Sequence, residues 1–109
     1  MSGDTLLTLL QDNNLSATGT SGKIALPVGG FTPSPSSGMS PIDVTCTDTS
    51  TGGNGVYLWE LSFGKSNYSV VSMVQNPVIH IPSPGDWFIR QTVYNAGGGV
   101  QTVFDFTAT

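Results

Sequence analysis

The fold turns on residues 55–64, "GVYLWELSFG", and the turn "KSNY" that follows at 65–68. Tyr57, Trp59, Leu61 and Phe63 alternate with Leu58, Glu60 and Ser62. Residues two apart on a strand share a face, so the first four describe the inner face of a half-buried strand. Trp59, the largest of them, is the expected anchor of a core. Gly64 ends the strand in a turn.

The same period of two recurs on both sides. In "PIDVTCTDTS", residues 41–50, Ile42, Val44 and Cys46 alternate with Asp43, Thr45 and Thr47. Asp48, Ser50, Gly52, Gly53 and Asn54 then read as a turn. Downstream, "NYSVVSMV" up to Val74 reads as a shorter strand, and "NPVIHIPSPG" as another between Pro-marked turns. The last 24 residues, from Asp86, read as a hairpin: Trp87, Ile89, Gln91 and Val93 share a face of one arm, Phe104 and Phe106 a face of the other, and Asn95–Gly99 turn between them. Short strands separated by polar turns predict an all-β chain folded as a two-sheet antiparallel sandwich. Its expected core includes Val44, Cys46, Trp59, Leu61, Trp87, Ile89 and Phe104. Gln91 falls on an inward position, where it needs a hydrogen-bonding partner or a place near the sandwich edge.

Residues 1–30 differ in character and are expected to form an N-terminal arm or attachment segment ahead of a domain at 31–109. Leu6, Leu7, Leu9 and Leu10 cluster behind Asp4, a suitable helix N-cap. A helical turn, an edge strand or a segment ordered only on a partner all fit them. Fully burying such side chains is worth about 1.5–3 kcal/mol each, which favours a partner for the cluster. "NNLSATGTSGK" reads as flexible. "KIALPV", with Ile24 and Leu26, is an apolar piece able to dock. Residues 29–41, "GGFTPSPSSGMSP", read as a linker or an extended lead-in strand.

Composition narrows the function. The chain has 109 residues, room for one domain with an arm. Only 9% are charged, the net charge is −4, and Lys23, Lys65 and Arg90 are scattered. Nucleic-acid and anionic-membrane binding both require clustered cations, so neither is expected. One cysteine, Cys46, excludes an internal disulfide. The N-terminus lacks the basic and apolar regions of a signal peptide, which points to a whole small gene product made in a reducing cytosol. Two N-glycosylation patterns, at Asn14 and Asn67, then read as chance.

The blocks "VTCTDTSTG", "WELSFG", "NPVIHI", "PGDWFI" and "TVYNAGG" carry a resemblance. In order and spacing, residues 41–107 resemble a PKD domain, an immunoglobulin-like β-sandwich. The family's Trp-x-Phe-Gly-Asp-Gly becomes Trp59-Glu-Leu-Ser-Phe63-Gly64, with Lys65 at the Asp position. An insertion of two leaves side-chain parity unchanged. The layout of one such domain behind an arm resembles a phage capsid decoration or cement protein. That resemblance implies a non-enzymatic structural protein on the virion surface. Its partner would be a capsid or other large protein assembly, and it could itself be a homo-oligomer. Failing that, it implies an extracellular accessory module that binds carbohydrate or a cell surface.

The reactive residue types do not assemble into a catalytic motif. His80 stands alone and suits a structural place. Cys46 alternates with buried positions and suits a small core residue. Asp43, Glu60, Asp86 and Asp105 fall on outward positions and are expected to be solvated. Asp48 suits hydrogen bonds to turn amides or, alternatively, an oxygen-rich Ca²⁺ site. The glycines after Asn95 lack the helix that a phosphate cradle requires. No catalytic residue, metal or cofactor is therefore expected. Phe88 and Tyr94, flanking Arg90 on the outward parity of their strand, have the composition of an interface hot spot for protein or, alternatively, glycan; equally, the arm or residues 24–33 would fold back over them.

Overall fold

A computed structural model describes residues 24–109. Eight strands follow one another: β1 (Phe31–Ser34), β2 (Ser37–Gly38), β3 (Ile42–Asp48), β4 (Tyr57–Phe63), β5 (Ser69–Ser72), β6 (Val78–Ile81), β7 (Gly85–Asn95) and β8 (Gly98–Ala108). They make two sheets, β1-β3-β6 and β2-β8-β7-β4-β5. The all-β sandwich expected from the alternation is the fold that forms. Pairing is antiparallel throughout except between β2 and β8, which run parallel. That exception arises because the lead-in segment crosses between sheets: β1 pairs with β3, and two residues later β2 joins β8. Proline at 35 stands at the crossing, and a second, Pro41, ends β2's excursion.

The core lies between the sheets. Val44, Cys46, Trp59, Ile79, Ile81, Ile89, Phe106 and Ala108 are buried there, with Leu61, Trp87 and Phe104 packed partly buried against them. Phe31 of β1 closes one side, its ring edge-on to Trp59 at 4.9 Å. Both tryptophans send their indole N–H to a backbone carbonyl, Trp59 to Val74 at 2.7 Å and Trp87 to Ser83 at 2.9 Å. Each thus buries its ring without stranding a donor.

Phe63 departs from the expectation that it shares Trp59's buried face. It is 53% exposed. It is the last residue of β4 and pairs with Trp87 in the register of β4 and β7. Its ring lies edge-on to the Trp87 ring at 4.9 Å and over Gly85, where an added methyl group would come within 2.5 Å of it. Parity put the side chain on the inner face, but the strand has by then reached the rim of the sandwich.

The turn after it needs two left-handed residues, Gly64 (φ 64°) and Lys65 (φ 62°). For glycine this costs nothing, whereas for lysine it is a strained conformation of about 1 kcal/mol or more.

Candidate functional site

Three features of this sandwich can bear on function: a buried polar node, a roofed outer face, and a strap that leads to the N-terminal segment.

The node is centred on Asp48, at the end of β3. Its carboxylate accepts hydrogen bonds from the Ser50 amide at 2.9 Å, the Ser50 hydroxyl, the Gln75 amide at 3.0 Å and the Gln91 amide at 2.9 Å. The nearby Tyr57 hydroxyl also favours the charged carboxylate. Burial by itself would raise the Asp48 pKa, but these donors outweigh it and hold the carboxyl below its ordinary value. Burial, together with its bond to the Asp48 carboxylate, raises the Tyr57 pKa. Gln91, fully buried, finds its two partners here: its Nε2 donates to Asp48, and its Oε1 accepts from the Gly30 amide at 3.0 Å. The inward glutamine is therefore the link between β3 of one sheet, β7 of the other, and the strap. Of the Asp48 carboxylate, Oδ1 takes three of these bonds and Oδ2 one, from Gln75.

The outer face of the larger sheet carries Arg90, paired across strands with Glu60. Arg90 Nε donates to Glu60 Oε1 at 2.9 Å, and its guanidinium stacks on Tyr68 with 3.8 Å to the ring centroid. Glu60 is thus not the solvated carboxylate its outward parity implied, since its side chain is 13% exposed. The cause is register, which sets it directly opposite Arg90. Phe88 and Tyr94 do point to this face. The Lys65 ammonium lies 5.1 Å over the Phe88 ring. Tyr94 sits opposite Gly99, where an added methyl group would meet its ring at 2.9 Å. On the same face Ser62 and Thr92 are almost fully buried. Neighbouring side chains therefore close over this surface, and its rings are engaged by cations and backbone instead of lying open as a sugar-stacking platform.

The remaining chemistry is quiet. Cys46 is buried, and burial pushes its thiol pKa up to about 11. A thiol that stays protonated is a poor nucleophile. His80 and Asp43 face each other across β3 and β6 at 2.8 Å, both exposed. No three His, Cys, Asp or Glu side chains gather as a metal site needs among the described residues.

The strap is residues 24–30, within the segment assigned from sequence to the arm. Val28 and Thr51 exchange amide–carbonyl bonds at 2.9 Å, and the Thr49 amide donates to the Gly30 carbonyl. The Asn95 side-chain amide donates to the carbonyls of Ala25 and Gly52, at 2.8 and 2.9 Å. Ile24 and Leu26 stay more than half exposed and run beside the β7–β8 hairpin tip, where a methyl group on Gly97 would sit 2.8 Å from the Ile24 carbonyl. Leu6, Leu7, Leu9 and Leu10 lie outside the described residues.

No protein-family model matches the chain, and no curated protein matches it in sequence.

The strap, with Gln91 and Asn95 as its anchors, was not readable in advance. Its bonds run from residues 25 and 30 to residues 95 and 91, and no local pattern announces pairs so far apart in the chain.

Proposed function

We propose that this chain is a non-enzymatic structural protein: a β-sandwich displayed on a larger protein assembly and held to it by its N-terminal segment. A phage head carrying it as a decoration protein is the assembly that fits best. The observation that carries the reading is the strap. Residues 24–30 are hydrogen-bonded to two turns, to β7 and to the hairpin tip. Residues 1–23 therefore join the sandwich at one defined end, and a load on them passes into the sheet network. Their leucine cluster supplies apolar surface for a partner to bury. Thr109 is bonded to Gly38 and Ser40, at the end of the β7–β8 pair opposite the hairpin tip. Attachment at one end leaves the other free for display.

Two further observations agree. The strand order is compatible with the immunoglobulin-like, PKD-like sandwich that the motif blocks resemble, and such domains serve as rigid display modules. Among the described residues, the groups best suited to chemistry are engaged in structure: Asp48 by four donor groups, Cys46 by burial, His80 by Asp43. Fold by itself does not dictate function, so the reading rests on the attachment segment.

The test is attachment with and without the arm. Purified particles are mixed with the full chain or with a chain beginning at Ile24, then sedimented through a sucrose gradient. The full chain is expected to travel with the particles, and the shortened chain to stay at the top while keeping its thermal transition. Equal co-sedimentation of a folded shortened chain would refute the reading.

A further inference from the structure

We propose that the open edge of β5 is a self-association site, where β5 pairs antiparallel with β5 of a second copy of this chain. This does not depend on what the N-terminal segment binds.

Among the described residues the sandwich has four sheet edges, and they are not alike. β1 carries Pro33 within it, and β2 is two residues long between Pro35 and Pro41. β6 is four residues long between Pro77 and Pro82, with exposed His80 on it. Prolines lack the donor that edge pairing needs, and the two residues of β2 give little to pair with; β6 equals β5 in length but is closed at both ends by proline. β5, Ser69-Val70-Val71-Ser72, has neither proline nor charge. It pairs with β4 alone, leaving its second edge unpartnered among the described residues.

Exposed apolar side chains gather at the same place. Val70, Val71, Met73, Val74 and Val78 are all 44% or more exposed. The five-residue link from Met73 to Pro77 carries the chain from β5 to β6, so these residues share one lateral side of the molecule. Edge hydrogen-bonding groups and adjoining apolar surface are the two ingredients of strand addition.

Charge argues for a second copy as the occupant. From Ser66 to Gly85 the sequence contains no Asp, Glu, Lys or Arg. Two copies of a chain of net charge −4 meet there with the least repulsion. A partner selected by charge would find nothing to read. An antiparallel pair about a two-fold axis is also self-complementary and closed, so it ends at a dimer and does not grow into a fibre. Four residues and a handful of valine and methionine contacts make a small interface, below the roughly 800 Å² per partner of a stable complex. The dimer is therefore concentration-dependent in solution and is reinforced where many copies share one surface.

The test is sedimentation velocity on the full chain from about 10 μM to about 1 mM, the range in which small interfaces saturate. The sedimentation coefficient is expected to climb from monomer to dimer. Val71→Lys, and separately Met73→Lys outside the strand, should each shift the midpoint at least about tenfold, the effect of one lost apolar contact. Thermal melts verify that both variants fold. A monomer across the whole range would overturn the proposal, as would a dimer indifferent to both substitutions. A dimer abolished by removing residues 1–23 but untouched by Val71→Lys would assign association to the N-terminal segment and equally overturn it.

Discussion

Arg90 and Gln91 are neighbours on one strand and face opposite ways. Each reaches a carboxylate at 2.9 Å, Arg90 to Glu60 on the outer face and Gln91 to Asp48 between the sheets. The outer pair links two adjacent strands that the backbone ladder already joins, and part of it remains in water. The inner pair links two sheets and the strap, and its glutamine is fully buried. An ion pair on the outer face of a sheet is worth less than its geometry suggests, because water and salt compete for the part of it that stays wet. A buried amide that loses its partner keeps the full cost of desolvation. The inner contact, a buried amide on a carboxylate, should therefore matter more than the outer ion pair.

The comparison can be broken by substitution, monitored by chemical denaturation. Asp48→Ala removes the acceptor of Gln91, Ser50 and Gln75 together, and should destabilise by about 3 kcal/mol. Gln91→Leu fills the space but strands the Gly30 amide and removes a donor from Asp48, and should cost about 2 kcal/mol. Arg90→Ala should cost only about 1 kcal/mol, its pair and its stacking on Tyr68 combined, and that loss should shrink in high salt. Equal losses for Gln91→Leu and Arg90→Ala would mean that burial does not separate the two. The smallest effect is favourable: Lys65→Gly relieves a left-handed lysine and should gain about 0.5 kcal/mol after the glycine's own entropy and the lost contact with Phe88.

Acid sharpens the same contrast. Asp48 has a folded-state pKa below its unfolded value, so its contribution is present above about pH 4 and is lost as pH falls through the depressed value. The wild-type chain should lose stability there. Asp48→Asn should start less stable at neutral pH and flatten the acid limb. An unchanged acid limb in that variant would mean that another carboxylate carries the titration.

Strand parity made much of this molecule readable in advance. Alternation around Trp59 and Ile89 placed the core side chains, and the same rule sent Phe88, Arg90 and Tyr94 outward. Parity assigns a face without giving distance to the rim, which is why Phe63 came out exposed. It also says nothing of register. The meeting of Glu60 with Arg90, and of Asp48 with Gln91, depends on which residue stands opposite which in a finished sandwich. Residues 29–41 read as a linker or an extended lead-in strand; a strand forms there as β1, and parity could not foretell that its Phe31 ring lies against Trp59. The strap was harder still, because its anchors are side chains at the far end of the sequence.

The claim on which the functional account depends is orientation: an assembly should hold this sandwich by the end where the strap begins. Electron microscopy of particles bearing the chain tests it directly. The account predicts a sandwich-sized density standing off the surface, with the Asn95–Gly98 hairpin tip toward the shell and Thr109 away from it. A sandwich lying with its outer sheet face on the shell, or attached by the Thr109 end, would contradict it.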